Sequence, residues 1–225
     1  MTEEERKTIT QAVQTAKKRI AEAAIASGRK PEDITLVAAT KMNDAERVRA
    51  AIEAGVDVCG ENRVQELLEK YEQHAYDGKP LHFIGTLQTN KVKYLIGKVS
   101  MIESVSSVKL AKVIDKEAAK AGICQDILLD IDPDEIDSVI EQVAQLEHVH
   151  VRGLMAIPPK TQPNQEKTLY FDRMSQLFID ISAKKYDNIT MDCLSMGMSA
   201  DYCEAISCGA TIVRLGTALF GARHY

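Results

Sequence analysis

Two groups of residues far apart in the chain can each bind a different part of one ligand. Lys41 follows the apolar residues 34–40, and a lysine at the end of a strand can form an imine with a carbonyl carbon. The glycine-containing segments 195–199 and 213–217 can expose backbone N–H groups to a phosphate. A ligand that has both an aldehyde and a phosphate is pyridoxal 5'-phosphate or a phosphosugar.

Lys41 alone does not establish an imine site, because a solvated loop lysine is the commonest situation for this residue type. An amine with a pKa of about 10.4 stays protonated at neutral pH unless burial or a nearby cation lowers that pKa. Strand alternation puts Val37, Ala39 and Lys41 on one face. The role of Lys41 therefore depends on what the fold brings beside it.

Helical and extended patterns alternate along the chain after a first helix. Apolar residues at three- and four-residue intervals predict that helix over residues 3–27, and Gly28 and Pro31 end it. Eight apolar stretches follow, with helical patterns between them such as those at 44–54 and 135–146. The eight stretches are 34–40, 56–60, 81–85, 99–105, 127–131, 149–157, 189–194 and 211–215.

Eight strands separated by helices predict parallel pairing through right-handed crossovers. They close a (β/α)8 TIM barrel, here with an extra N-terminal helix, and the 225 residues are slightly fewer than the ~250 typical of that fold. An open doubly wound sheet is the alternative, but its usual Gly-x-Gly-x-x-Gly is missing after the first strand. Residues 158–163 are predicted to form a loop, so we expect a single domain over residues 1–225.

The composition argues against several classes of protein. The net charge of −5 and the mixing of basic with acidic residues disfavour a nucleic-acid-binding surface. No segment has the pattern of a membrane span or a signal peptide. The five cysteines form no C-x-x-C pair, which favours reduced thiols over disulfides or a metal site. We expect a cytoplasmic protein without a metal, a membrane or a nucleic-acid partner.

Residues at the carboxyl ends of barrel strands face one site, which makes three further side chains candidates. Asn62 follows the second strand and can bind a ring substituent, although asparagine is also a good helix N-cap, and spacing alone favours the cap. His82 lies in the third strand, where a hydrogen-bonded core histidine is the commoner situation. Met155 ends the sixth strand and can either cover a planar ligand or pack in the core.

The phosphate candidates follow the last two strands. Ser195 and Gly197 precede a predicted helix, and Gly216 and Thr217 follow the eighth strand. The loops after strands seven and eight form the recurrent phosphate site of this fold. A turn in which Ser199 caps the next helix predicts the same local sequence, but the second glycine-containing strand end favours phosphate binding.

Arg214 lies inside an apolar run, where an unpaired guanidinium would be costly. It can pair with a core carboxylate such as Asp57, or it can face the pocket. A permanent cation in the pocket would discourage protonation of a pyridine nitrogen and weaken a bound cofactor as an electron acceptor. The sequence leaves both alternatives open.

Taken together and in order, these strand ends resemble the YggS/PROSC family of pyridoxal phosphate homeostasis proteins. The resemblance runs from about residue 34 to residue 225, and the ordered set is highly specific although no single piece is decisive. The segments that carry it are 40–41, 60–62, 64–66, 82–85, 87–88, 90–91, 152–158, 195–199, Asp201 and 214–221.

The resemblance implies a fold-type III barrel like the N-terminal domain of alanine racemase, with pyridoxal 5'-phosphate bound covalently to Lys41 as an internal aldimine. It also implies that Arg214 lies near the ring nitrogen and that Asn62 lies beside the ring. The phosphate-binding residues that it implies are Ser195, Gly216 and Thr217.

The same resemblance carries an expectation about function. The family is regarded as holding and supplying the cofactor, with effects on vitamin B6 balance, and has no established catalytic activity. We therefore expect a non-enzymatic cofactor-binding protein without catalytic residues. We also expect a monomer, and apo-enzymes that need this cofactor are the candidate partners.

Two segments depart from the family pattern. After the fifth strand the family often has an acidic residue followed by Lys-x-Gly, whereas residues 130–137 are shorter and lack that Lys and Gly. Met42 and Asn43 follow Lys41 where Thr and a basic residue are common. The first departure affects the rim of the barrel and its contacts with partners, and neither touches the expected phosphate site.

Two enzyme classes are the alternatives. A fold-type III racemase or decarboxylase would carry a second β domain that supplies a catalytic group, which we do not expect here, although slow racemisation by Lys41 alone stays open. A Schiff-base aldolase acting on a phosphosugar would need a carboxylate–lysine–carboxylate relay on interior strands. Lys41 on the first strand is a poor match for that relay, so a protein that holds pyridoxal phosphate is the prediction.

Overall fold

Eight parallel strands close into a barrel in chain order, in a computed structural model that describes residues 1–159 and 164–221. The strands are β1 Thr35–Ala39, β2 Val58–Glu61, β3 Leu81–Phe83, β4 Met101–Val105, β5 Gln125–Leu129, β6 Val149–Met155, β7 Ile189–Met198 and β8 Ile212–Leu215. Each strand pairs in parallel with its neighbours, and β1 closes the ring against β8. The predicted (β/α)8 barrel is confirmed.

Helices join the strands and cover the outside of the barrel. They begin and end at residues of the expected kinds: Ser107 accepts the N–H of Leu110 at the start of α4, and Gly122 ends that helix with φ of 66°. Between β3 and β4 a 3₁₀ helix, Thr89–Tyr94, takes the place of an α-helix. The α-helices are α1 Glu3–Ala26, α2 Ala45–Glu53, α3 Val64–Glu72, α4 Val108–Ala121, α5 Ile136–Val143, α6 Asn164–Ser182, α7 Tyr202–Ser207 and α8 Thr217–Phe220.

The extra N-terminal helix that the sequence predicts is confirmed as α1. It begins with a capping box, in which Thr2 Oγ1 accepts the N–H of Glu5 at 3.2 Å and the Glu5 carboxylate accepts the N–H of Thr2 at 2.7 Å. Its apolar face packs against α2, α7 and α8. Because these helices follow β1, β7 and β8, α1 ties together the part of the barrel that carries the lysine and the predicted phosphate site. The buried residues of that face are Ile9, Val13, Ala16, Ile20 and Ala24.

Apolar side chains form two buried sets, one on each side of the barrel wall. The larger set lies between the strands and the helices. A smaller cluster packs separately, and burying such a side chain contributes about 1.5–3 kcal/mol. Strand alternation assigns this second cluster to the barrel interior, which is therefore a packed core and not a pore. The interior cluster consists of Val37, Val58, Met101, Leu128, Met155 and Ile212.

A polar cluster of Asp126, His150, Arg152 and Asp192 lies toward the amino ends of β5 and β6, which is the opposite end of the barrel from the strand ends that carry sites in this fold. Arg152 Nη1 donates to Asp126 at 2.9 Å, and Arg152 Nε donates to Asp192 at 2.9 Å. His150 Nδ1 lies 3.1 Å from Asp126 Oδ1. Substitutions in this cluster can therefore serve as controls for substitutions of ion pairs at the other end of the barrel.

Three segments qualify the sequence predictions. β7 continues to Met198, beyond the predicted 189–194, so Ser195 lies within a strand. Residues 160–163 of the predicted loop after β6, and residues 222–225, lie outside the described residues. None of the helices in the described ranges is long and apolar enough to cross a bilayer.

Candidate functional site

Lys41 lies at the carboxyl end of β1, in the turn that follows Thr40. It lines a cleft of about 270 Å³ together with Ala39, Gly216 and Thr217. The cleft forms here because β1 and β8 are neighbours, with Ala38 paired in register to Leu215. The structure therefore brings Lys41 and the end of the eighth strand together at one mouth of the barrel.

A second cleft, of about 310 Å³, adjoins Lys41 on the side of β2 and β3. Asn62 lines it, and its Nδ2 donates a long hydrogen bond of 3.4 Å to the carbonyl of Ile84. Asn62 Oδ1 is buried and accepts no hydrogen bond from any described residue. An unpaired buried acceptor is costly, so this oxygen is suited to accept a hydrogen bond from a ligand.

The alternative role of Asn62 as a helix cap is wrong. α3 begins at Val64, so the N-cap position belongs to Arg63, which makes no side-chain cap hydrogen bond. Asn62 instead lines the cleft together with Lys41 and Met42. The structure thus leaves its amide available for the binding role that the sequence also suggested.

The hydroxyl of Ser199, a residue for which the sequence predicts only a capping role, reaches the start of α8. Ser199 Oγ accepts the backbone N–H of Gly216 at 3.2 Å and that of Ala218 at 3.1 Å. This oxygen satisfies two backbone donors of the β8–α8 connection, and the proton of the same hydroxyl is the group that can donate to an anion. Ser199 is therefore a candidate phosphate contact that spacing did not distinguish from Ser195.

Ser195 itself lies inside the barrel and is fully buried. Its hydroxyl donates to Glu103 Oε2 at 2.5 Å and accepts from Arg214 Nη1 at 2.5 Å. Among the described residues that line the two clefts at Lys41, Ser195 does not occur. A phosphate contact by Ser195 remains a prediction, and its present partners favour a role in holding Arg214.

Gly197 has a packing role that explains its identity. Its φ of 93° favours glycine, and a Cβ atom at this position would lie 2.6 Å from the Cβ of Ala205 and 2.9 Å from the Cα of Tyr202. The glycine therefore lets α7 approach β7 closely. Its predicted contact with a cofactor stays a prediction.

Arg214 is buried in the barrel interior, and both of its terminal nitrogens donate hydrogen bonds to protein oxygens. Its Nη2 donates to the carbonyl of Ala156 at 3.1 Å, and its Nη1 lies 4.0 Å from Glu103 Oε2. Burial lowers the pKa of Arg214, while Glu103 and Asp130 oppose that shift. The core carboxylate beside it is thus Glu103.

The suggested pair between Arg214 and Asp57 is wrong. Asp57 Oδ2 accepts the N–H of Leu36 at 2.8 Å, and Asp57 Oδ1 lies 3.7 Å from the ammonium of Lys17. Asp57 comes just before β2, whereas Arg214 is close to the carboxyl end of β8. The two residues therefore belong to opposite ends of the barrel.

His82 and Met155 are both buried in the interior. His82 Nδ1 lies 2.6 Å from Glu103 Oε1, which is the hydrogen-bonded core arrangement that is common for a histidine inside an apolar run. Burial raises the pKa of Glu103, but the hydrogen bond from His82 and the charges of His82 and Arg214 outweigh it and hold that pKa below 4.5. Met155 packs in the interior cluster. Contact of either residue with a cofactor remains a prediction.

The thiols and the acidic residues do not suggest a second chemistry. All five cysteines are unpaired in the structure, and burial raises the pKa of Cys59 to about 12 and that of Cys193 to about 12. Such thiols are poor nucleophiles at neutral pH. Within the described residues, no group of three His, Cys, Asp or Glu side chains is placed to bind a metal ion.

Sequence comparison gives long matches to proteins of one kind. The family model described as alanine racemase, N-terminal domain, matches residues 11–224. The pyridoxal phosphate homeostasis protein of Aquifex aeolicus (strain VF5) is 41% identical over 218 residues, which are 92% of this chain and 95% of that protein. Both matches extend over the barrel and not only over one motif.

Structural comparison agrees with the sequence. An unknown protein from Bifidobacterium adolescentis has a TM-score of 0.91 and 32% identity, and the match covers 98% of this chain and 97% of that chain. PipY of Synechococcus elongatus PCC7942, solved with PLP bound, has a TM-score of 0.79 and 32% identity, with coverage of 90% and 100%. The barrel and its order of elements are thus shared with a protein whose structure contains this cofactor.

Proposed function

Because this chain belongs to the alanine racemase N-terminal domain family, and because its curated relatives are pyridoxal phosphate homeostasis proteins, we propose that it binds pyridoxal 5'-phosphate and supplies it to other proteins. One observation carries the proposal: Lys41 and the residues Gly216 and Thr217 line the same cleft. An amine for the aldehyde and a backbone site for the phosphate are the two groups that this cofactor needs.

The residues of the mouth fit the cofactor beyond these two groups. Asn62 Oδ1 needs a donor, which a ring hydroxyl can supply. Ser199 and the N–H groups that it binds are suited to the phosphate. Arg214 provides a buried cation on β8, two residues before Gly216, which supports a position toward the ring nitrogen.

We propose that the link to the protein is covalent. Lys41 would supply the amine for the aldehyde carbon, and formation of the C=N bond would release the carbonyl oxygen as water. The bound cofactor supplies an electrophilic carbon held at the mouth. The chain's own residues hold the phosphate, accept a hydrogen bond from the ring and keep a cation near the ring nitrogen.

The Arg214 cation favours holding over turnover. A guanidinium beside the ring nitrogen opposes protonation there, so the ring withdraws electrons from the bound substrate less strongly. We propose on this ground that the protein is a reservoir and not a racemase. Its unpaired thiols fit the reducing cytoplasm, where apo-enzymes that take up the cofactor are the proposed partners and a monomer is the proposed form.

Reactivation of an apo-transaminase tests the supply role. Protein loaded with pyridoxal phosphate and freed of excess cofactor is mixed with the apo-enzyme, and recovery of transaminase activity is compared with that given by the same amount of free cofactor. We expect recovery that goes to completion and that is as fast as, or faster than, recovery with free cofactor. Retention of the cofactor by the loaded protein while the transaminase stays inactive would contradict supply.

A further inference from the structure

A buried lysine lies under the turn that carries Lys41. The side chain of Lys70, on α3, is only 7% exposed. Its ammonium donates to the carbonyl of Thr40 at 2.7 Å, to Glu61 Oε1 at 2.6 Å and to Glu66 Oε1 at 2.6 Å. Three acceptors match the three N–H donors of a lysine ammonium, so the charge is fully coordinated.

Burying these charges is an inefficient way to stabilise the packing of α3 on the barrel. Ion pairs removed from water lose hydration, and apolar side chains of similar volume often stabilise a core as well or better. Because three donor bonds already engage the Lys70 ammonium, this amine is not an alternative site for the aldehyde. The cluster formed by Glu61, Glu66 and Lys70 is therefore better explained by the residues that it holds in place.

The cluster forms hydrogen bonds with the backbone on both sides of Lys41. Lys70 binds the carbonyl of Thr40, and Glu66 Oε1 accepts the N–H of Met42 at 2.5 Å. Met42 has a φ of 61°, a conformation that is unfavourable for a methionine and persists only where its surroundings hold it. The hydrogen bond from Met42 to Glu66 is a contact that can hold it.

The same cluster reaches the second side of the site. Glu61 Oε2 accepts the N–H of Asn62 at 3.0 Å, and Glu61 Oε1 accepts the hydroxyl of Thr40 at 2.8 Å. One carboxylate thus joins the end of β1 to the end of β2. Lys70, which binds Glu61 as well as Glu66, connects both sets of contacts.

We propose that Lys70 is a positioning residue. It holds Glu66 against the Met42 turn and Glu61 against Asn62, so that the Lys41 amine and the Asn62 amide are aimed at the same ligand. This role rests on the proposed function and adds to it a residue that does not touch the cofactor. Loss of alignment of even one ångström at a reacting group can slow a reaction by about a hundredfold.

Backbone hydrogen exchange in the cofactor-free protein tests the positioning directly. In Lys70→Met, the amides of Met42 and Asn62 should exchange at least about tenfold faster, while amides of β5 and β6 keep their rates. The rate at which the protein forms its bond to added pyridoxal phosphate, followed by absorbance, should fall by about tenfold or more. Arg152→Met, which breaks the ion cluster near the other end of the barrel, should change neither quantity at the mouth.

Faster exchange throughout the barrel, or unchanged exchange at Met42 and Asn62, would overturn the proposal. If Lys70→Met does not fold, Glu66→Gln replaces it, because Glu66 is partly exposed and its substitution is easier to tolerate. This variant should speed hydrogen exchange at the amide of Met42 alone. In folded protein, Glu66→Gln and Lys70→Met should show non-additive effects, and additive effects would also overturn the proposal. If the wild-type protein forms no bond with the cofactor, the proposed function fails, while the exchange experiment still decides the role of Lys70.

Discussion

The hydroxyl of Ser195 donates a hydrogen bond of 2.5 Å to the carboxylate of Glu103 inside the barrel. Because a serine hydroxyl has one proton, this bond leaves none for a phosphate oxygen. Ser199, by contrast, follows β7 and reaches the β8–α8 connection with its side chain, where its oxygen accepts two backbone N–H groups. The two serines of one short segment therefore belong to different parts of the molecule.

We expect Ser199→Ala to weaken binding of pyridoxal 5'-phosphate but not that of pyridoxal, which has no phosphate. Loss of one hydrogen bond to a charged group costs about 1.5–3 kcal/mol, which is a tenfold or larger loss of affinity. Ser195→Ala should weaken both ligands to a similar extent, because it disturbs Arg214 and not the phosphate. Titration of each variant with both ligands by absorbance measures these affinities. Selective loss of phosphate recognition in Ser195→Ala would instead restore the role predicted from spacing.

Glu103 makes stability depend on pH. Since its folded pKa lies below 4.5, its contribution to stability is present above that value and is lost as pH falls through the lowered pKa. Glu103→Gln should therefore be less stable than wild type at pH 7, and the difference should shrink below pH 4.5. Urea unfolding at a series of pH values gives the free energy of unfolding for both proteins. A difference that is constant with pH would show that the Glu103 charge is not involved.

Gly197→Ala should destabilise the fold by about 1–3 kcal/mol, because a methyl group would collide with Ala205 and Tyr202 at a backbone conformation that favours glycine. Gly122→Ala is the matched control. Gly122 also has a positive φ, of 66°, but no atom lies within 4 Å of its added Cβ, so only the backbone cost should appear. Thermal or urea unfolding compares the two variants. Equal losses would contradict the close contact of α7 with β7.

Asn62→Leu should separate stability from binding. Asn62 Oδ1 is buried without a partner among the described residues, so replacing the amide should leave the cofactor-free protein equally stable or more stable. Binding of pyridoxal phosphate should weaken by about tenfold, because the ring loses its acceptor. Urea unfolding without ligand and an absorbance titration with ligand provide the two numbers. Loss of stability without loss of affinity would make Asn62 a structural residue.

Strand order and the N-terminal helix could be predicted because their signals are local and repeated. Each apolar stretch coincides with an observed strand, and the barrel rule then places Lys41 and Gly216 at one end. The end of β7 was harder to predict. Ser195-Met196-Gly197-Met198 has no steady alternation, and whether such a segment is strand or loop depends on pairing with β6 and β8.

The partners of the buried charged side chains could not be predicted from residue spacing. Arg214 was expected to need a carboxylate, but only the register of β4 with its neighbours brings Glu103 to it and to His82. Lys70 gave no signal, since a lysine on an amphipathic helix is usually solvated, and its burial follows from how α3 packs on β2. Such contacts join residues that are far apart in the chain, and single-sequence patterns report only on near neighbours.

Borohydride reduction followed by peptide mapping tests the central claim most directly. Protein incubated with pyridoxal 5'-phosphate is reduced, digested and analysed by mass spectrometry, with Lys41→Ala as the control. We expect the peptide containing Lys41 to carry the added pyridoxyl phosphate. In Lys41→Ala, which should remain folded, both the visible absorbance and the modification should be absent. Modification of a different lysine as the main product, or none at all in wild type, would contradict this prediction.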